Sequence, residues 1–207
     1  MQSTRSIGVL LFEDFELLDV FGPLEMYGML PEHFELHLVA ENAGEVASRQ
    51  GPKSLVEHDL GDGRQYEILL VPGGPGTRRE VDNNALLDWI RSQSPNAEYV
   101  TSVCTGSALL ARAGVLDGVR ATTNKRAFEW VCAQGERVHW QKQARWVEDG
   151  RFFTSSGVSA GMDMSLALIG KLLGREAAEQ VATRTEYEWH SDSRWDPFAA
   201  VHGLVQA

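Results

Sequence analysis

The segment 101–107, TSVCTGS, constrains the fold more than any other part of the sequence. A β-type apolar run ends at Cys104, and a helix-compatible run follows at once. A nucleophile at such a junction sits on a tight turn between strand and helix, with its side chain lifted clear of the sheet. The residues two before and two after it, Ser102 and Gly106, are small enough for that turn. The segment therefore predicts a nucleophile elbow built on cysteine.

The helix after Cys104 is expected to lower the pKa of its thiol through the positive end of the helix dipole. The alternative is a buried structural cysteine at the end of a strand. Cys132, the second of two cysteines, lies in an amphipathic stretch and is expected to be an unreactive core residue. Neither these cysteines nor the six scattered histidines show metal-ligand spacing, so we expect no metal and no cofactor.

Composition excludes several classes of function. The formal net charge of -10 leaves no excess of basic side chains to neutralise phosphates, which argues against nucleic acid as a partner. No apolar run approaches the roughly 20 residues that span a bilayer. The first residues show no signal-peptide pattern, so a cytoplasmic location without membrane association is expected.

Strand-like and helix-like segments alternate, which favours an α/β fold with a mostly parallel sheet and helices on both faces. We predict a single domain over 1–207, in which 188–207 form a tail packed on the body. Strands are predicted at 7–12, 34–40, 68–71, 99–103 and 120–123, and hairpins at 46–56 and 145–154. Helices are predicted at 23–29 with Pro23 in the first turn, 83–93, 107–113, 125–133, 159–173 and 175–187.

Three predicted strand ends carry residues suited to chemistry, and such ends converge in an open α/β sheet. An acidic segment that ends at Asp19 follows the first strand. Gly73 and Gly74 follow the strand at 68–71, and their amides can point at a developing oxyanion. Cys104 follows the strand at 99–103, with the Thr105 amide as a second donor.

Together these blocks resemble the ThiJ/PfpI family of the glutamine amidotransferase-like superfamily, over about 6–173. The resemblance is carried by DVFGP from Asp19, VPGG to Gly74, SVCTGS around Cys104 and the block 121–123. It implies a flavodoxin-like three-layer sandwich with Cys104 as nucleophile and Asp19 as its acidic partner. It also implies oxyanion donors on the backbone of Gly74 and Thr105. The first and third blocks are most similar to the isocyanide hydratase branch.

By this resemblance, Cys104 attacks the terminal carbon of an isocyanide to give a thioimidate. Asp19 supplies the proton and helps water to release an N-formamide. Many relatives carry a histidine beside the cysteine or after block 121–123, where this chain has Thr105 and Asn124. A Cys-His dyad is therefore not expected, and His190 in the tail is the remaining histidine that can approach the site.

Three alternatives stay open at the level of sequence. The same apparatus suits a glyoxalase-like reaction on 2-oxoaldehydes or an amide hydrolysis. A non-catalytic stress-response protein would sense oxidants through a Cys104 sulfinate held by Asp19. A ligand-sensing module like those of AraC-type regulators shares the same blocks.

The resemblance also implies a homodimer acting on a small molecule. If Asp19 only caps the helix at Pro23, Glu16 is the next acid to consider.

Overall fold

The computed structural model describes residues 4–206, and its central feature is a seven-stranded sheet. The strands are β1 Arg5–Leu10, β2 Phe34–Ala40, β3 Gly44–Ala47, β4 Lys53–Val56, β5 His58–Asp59, β6 Ile68–Val71, β7 Tyr99–Ser102, β8 Arg120–Ala121, β9 His139–Trp140, β10 Trp146–Asp149 and β11 Phe152–Ser155. The helices are α1 Leu17–Gly28, α2 Thr77–Glu80, α3 Asn84–Gln93, α4 Gly106–Arg112, α5 Phe128–Cys132, α6 Ala160–Leu173, α7 Arg175–Arg184 and α8 Phe198–Val201.

The sheet has the order β10-β11-β7-β6-β1-β2-β5, and its pairs are parallel except for the hairpin of β10 and β11. All four residues of β6 are fully buried, as expected for a central strand covered on both faces. One group of helices packs α1 on α6 and α6 on α7, and another packs α2, α3 and α5 on α4. The expected three-layer α/β fold is confirmed.

The first helix differs from its prediction. Helix α1 begins at Leu17, six residues before Pro23, so the proline lies inside the helix. A proline in a helix interior cannot donate a hydrogen bond to the carbonyl four residues earlier. Sequence alone therefore favours a helix that starts at Pro23. The longer helix carries Asp19 in its first turn, and a loop over 11–16 joins it to the carboxyl end of β1.

Several buried polar contacts attach the segment after α7 to the sheet layer. The Arg145 amide donates to the Ser193 carbonyl over 2.7 Å. Lys125 and Asp196 form an ion pair of 3.2 Å whose side chains are both 1% exposed. The predicted domain and tail also include residues 1–3 and 207, which lie outside the described residues. No helix between residues 4 and 206 is long and apolar enough to cross a membrane.

Candidate active site

Cys104 lies immediately after β7 in a strained backbone conformation. Its φ is 55°, a left-handed value that non-glycine residues seldom adopt. Its amide donates to the Ser156 carbonyl over 3.1 Å, and the Thr123 hydroxyl donates to its carbonyl over 2.9 Å. A Cβ on Gly106 would lie 2.1 Å from the Val71 carbonyl oxygen, so the turn admits only glycine there. The junction has the sharp geometry that the sequence predicts.

Asp19 points into the same region from the first turn of α1. Its side chain is fully buried, and the Gly73 amide donates to Oδ2 over 2.9 Å. Its second oxygen, Oδ1, has no hydrogen-bond partner among residues 4–206. Glu16, not Asp19, is the N-cap residue of α1, so Asp19 does not serve as the helix cap. A buried carboxyl oxygen without a partner is unusual and marks a position available for another group.

The Cys104 thiol and the Asp19 carboxyl form a coupled buried pair. Burial raises the pKa of both groups well above their ordinary values, and the negative charge of Asp19 raises that of Cys104 further. The neighbouring Cys104 thiol acts in the opposite direction on the pKa of Asp19. Two negative charges are not held together in such a site, so the pair keeps at least one proton. The net shift of the Cys104 pKa is therefore upward, opposite to the expected direction, because burial outweighs the helix end.

Two amide groups favour the thiolate form of Cys104. Hydrogen bonds from the Thr105 backbone amide and the Asn124 side chain lower the pKa of the thiol against the larger effect of burial. A Cβ on Gly157 would lie 3.0 Å from Sγ and 2.3 Å from Nδ2 of Asn124. Glycine at position 157 thus leaves room for the Asn124 amide beside the sulfur. Asn124, which stands where many relatives carry a histidine, is a neighbour of the Cys104 sulfur.

The two glycines predicted as oxyanion donors have acceptors within the protein. The Gly73 amide is bonded to Asp19, and the Gly74 amide donates to Oγ1 of Thr105 over 3.0 Å. Thr77 completes this cluster, because its hydroxyl donates to the Gly74 carbonyl over 2.7 Å and lies 3.1 Å from the Thr105 hydroxyl. The glycine amides thus position Asp19 and Thr105, while the Thr105 amide faces the sulfur.

A cavity of about 430 Å³ opens onto Cys104, Thr105 and Asn124. Its wall also contains Glu16, which the sequence indicates as the next acid to consider. Three arginines that the sequence does not indicate complete the wall: Arg49, Arg78 and Arg126. The arginines come from the turn between β3 and β4, from α2 and from the segment before α5. No short sequence motif joins such distant segments, so only the fold shows that they share one cavity.

The structure does not bring His190 to this cavity. Its ring stacks on Trp195 at a centroid distance of 4.3 Å, and it lines a separate cavity with Arg145 and Tyr187.

Cys132 is only partly buried, and burial raises the pKa of its thiol to about 11. Within residues 4–206, no group of three or more His, Cys, Asp or Glu side chains is placed to hold a metal ion.

Comparison with known proteins places this site in a family. The DJ-1/PfpI family matches residues 5–171. The isonitrile hydratase of Pseudomonas putida is 37% identical over 181 residues, which are 87% of this chain and 78% of the hydratase. The HTH-type transcriptional regulator GbdR of Pseudomonas aeruginosa is 29% identical over 90% of this chain, which spans about half (52%) of the regulator.

A solved structure agrees with these sequence matches. The crystal structure of a ThiJ/PfpI family protein from Pseudomonas syringae has a TM-score of 0.84 at 28% identity, over 90% of this chain and 76% of that one. The family match covers most of the chain and includes both Cys104 and Asp19. On these grounds the chain belongs to the DJ-1/PfpI family.

Proposed function

We propose that the protein hydrates isocyanides to N-formamides through a covalent intermediate on Cys104. The observation that carries the proposal is the partnerless Oδ1 of buried Asp19, which shares a coupled site with the Cys104 thiol. The similarity to an isonitrile hydratase along most of both chains gives the reaction class. Asp19 acts as the acid and base, and the Thr105 amide stabilises charge at the reacting atoms.

In the first half-reaction, the Cys104 sulfur bonds to the terminal carbon of the isocyanide. The proton that the Cys104–Asp19 pair holds is transferred to that carbon, which gives a thioimidate, R–N=CH–S–Cys104. The raised pKa values of both groups support this step, because a pair that keeps one proton near neutral pH can deliver it to substrate. No external base is required.

In the second half-reaction, water adds to the thioimidate carbon. Asp19 takes a proton from the water and passes a proton to the nitrogen, which gives a tetrahedral adduct, R–NH–CH(OH)–S–Cys104. The carbon–sulfur bond then breaks, the hydroxyl proton returns to the pair, and the N-formamide leaves. The net reaction consumes one isocyanide and one water.

The redox alternative has less physical support. Oxidant-sensing cysteines are accessible and have low pKa values, because the thiolate is the species that reacts with peroxide. Cys104 is 6% exposed, and burial raises the pKa of its thiol. Under this proposal, low peroxide leaves Cys104 largely unoxidised while isocyanide turnover continues. The homodimer stays a prediction from the family resemblance, and the cytoplasmic location stays a prediction from the sequence.

The test is a substrate screen over isocyanides, 2-oxoaldehydes and primary amides, with Cys104→Ser and Cys132→Ser as a matched pair. We expect N-formamide from isocyanides only, carrying ¹⁸O when the reaction runs in labelled water. Cys104→Ser should abolish turnover and keep the fold, because a serine hydroxyl is a far weaker nucleophile at neutral pH. Cys132→Ser should keep activity.

Peptide mapping adds a readout of the intermediate. An isocyanide adduct should map to Cys104 and not to Cys132. Turnover of 2-oxoaldehydes in place of isocyanides would indicate a glyoxalase-like reaction, and turnover of amides would indicate amide hydrolysis. Isocyanide turnover that persists in Cys104→Ser would remove the covalent mechanism.

A further inference from the structure

The arginines of the Cys104 cavity differ from all others in the protein. The chain has fifteen arginines, and twelve of them form a side-chain hydrogen bond or an ion pair. Among residues 4–206, the three that form neither are Arg49, Arg78 and Arg126, and all three line the cavity that opens onto Cys104. The three arginines that lack a side-chain partner are therefore the same three that share this cavity.

The overall charge of the chain makes the missing partners more informative. Asp and Glu number 29 against 19 Lys and Arg, so the chain has more carboxylates than cations with which to pair them. Glu16 is the one carboxylate among the cavity-lining side chains, and its Oε1 accepts a hydrogen bond from the Gln50 amide. Three guanidinium groups therefore face one cavity with a single carboxylate, Glu16, which forms an ion pair with none of them among residues 4–206.

At least one of these guanidinium groups is held in place without being neutralised. Arg78 stacks over the ring of Trp130, with its Cζ 4.4 Å from the ring centroid. Stacking fixes the plane of a guanidinium group and leaves its N–H donors free. Such a group is ready to bind an oxyanion in bidentate fashion.

We propose that the substrate of the Cys104 site carries a small oxyanion, a carboxylate or a phosphate, bound by Arg49, Arg78 and Arg126. This inference rests on the proposed function and names its substrate class as isocyanides with an anionic side group. The arginines hold the anion at the cavity wall, and the isocyano carbon reaches Sγ of Cys104. A cleft with an excess of one charge also concentrates ligands of the opposite charge.

The first test uses two alkylating agents of similar size and needs no turnover. Iodoacetate is an anion and iodoacetamide is neutral, and both react with the Cys104 sulfur. The ratio of their rates at Cys104, divided by the same ratio for N-acetylcysteine, should exceed one. Each of Arg49→Gln, Arg78→Gln and Arg126→Gln should lower it by about two- to fivefold, the range for single exposed charge pairs.

Two controls make the result specific. Arg137→Gln removes the same charge from an exposed arginine that pairs with Asp117 outside the cavity, and it should leave the ratio unchanged. About 0.5 M NaCl should lower the wild-type ratio, because salt screens exposed charges. A ratio at or below that of N-acetylcysteine, or one that the triple arginine variant does not change, would overturn the proposal.

The second test separates this inference from the proposed reaction and distinguishes the two oxyanions. An isocyanide with a carboxylate side group should have a lower KM than its methyl ester, at similar kcat, and only the arginine variants should remove the difference. Protection of Cys104 from iodoacetamide by propionate supports a carboxylate, and protection by inorganic phosphate supports a phosphate. An alkylation preference without isocyanide turnover would overturn the reaction and keep the anion site, whereas equal KM values with active enzyme would overturn the anion site alone.

Discussion

Two aspartates, Asp19 and Asp163, are both fully buried, yet the protein surrounds them in opposite ways. Asp163 on α6 receives the Arg145 guanidinium on Oδ2 at 2.5 Å. Its Oδ1 accepts from the Tyr187 hydroxyl and from the His190 amide, each over 3.0 Å. Both oxygens are satisfied and the charge is paired, so this carboxylate attaches the segment after α7 to the body.

Asp19 has none of this support beyond one backbone amide. Gly73 donates to Oδ2, and Oδ1 has no partner among residues 4–206. Burial, and to a smaller extent the neighbouring charge of Glu16, raise the pKa of Asp19. Burial raises the pKa of Asp163 too, but the charge of Arg145 and its hydrogen bond act against that shift. The net pKa shift is upward for both groups, but Asp163 is paired with a buried cation, whereas Asp19 lies beside a thiol and a second carboxylate.

The contrast separates stability from chemistry. A buried ion pair with complete hydrogen bonding fixes the relative position of two segments, and removal of one partner leaves an uncompensated charge. A buried carboxyl group without a cation has a perturbed pKa, which is typical of groups that transfer protons. The two aspartates should therefore respond differently to the same kind of substitution.

The largest effect is expected for Asp19→Asn on turnover. Asparagine keeps the shape and polarity of the side chain but cannot carry the transferred proton, so kcat with an isocyanide should fall by about 10²- to 10⁴-fold. The free energy of unfolding should not fall. Glu16→Gln, which removes a neighbouring carboxylate at the wall of the Cys104 cavity, is the control and should lose much less activity. A greater loss in Glu16→Gln would assign the acid role to Glu16.

Asp163→Ala should show the opposite pattern. Loss of this carboxylate leaves Arg145 buried and unpaired, which should lower the free energy of unfolding by about 3–5 kcal/mol in urea denaturation. Activity per folded molecule should be retained, because Asp163 lies outside the cavity of Cys104. The double variant Arg145→Met/Asp163→Leu should recover much of the lost stability. A loss below about 1 kcal/mol in Asp163→Ala would show that the pair has no structural role.

The sequence predicts the strands of the sheet better than it predicts where the helices beside the sheet begin. The run Ile68–Val71 has no polar interruption, and only a central strand covered on both faces suits such a run. The predicted start of α1 at Pro23 is wrong, because Pro23 lies inside the helix although proline has a low helix propensity there. Tertiary packing decides that case, and packing cannot be derived from a single local pattern.

The candidate site also has one part that the sequence predicts and another that it does not. Cys104 and Asp19 follow strands within short blocks, so residue order alone brings them to one edge of the sheet. The cavity arginines and the pair of Arg145 and Asp163 join segments that are distant in sequence and share no periodic pattern. The direction of the Cys104 pKa shift was also missed, because burial is a property of the folded chain and not of the elbow motif.

The smallest expected effect is a pH dependence of stability that belongs to Asp19. Burial raises its folded-state pKa above the ordinary value of 3.8, so above that pH the folded state binds more protons than the unfolded state. The free energy of unfolding then falls as pH rises through this interval, by at most about 1.4 kcal/mol per pH unit. Asp19→Asn lacks this dependence, so its stability relative to wild type should increase from pH 4 towards pH 7. Urea unfolding at several pH values measures the difference, with the exposed Asp88→Asn as the charge-matched control. A difference between Asp19→Asn and wild type that stays flat across this range, or falls, would mean that Asp19 is as readily ionised in the folded protein as in the unfolded chain, and the contrast with Asp163 would then rest on hydrogen bonding alone.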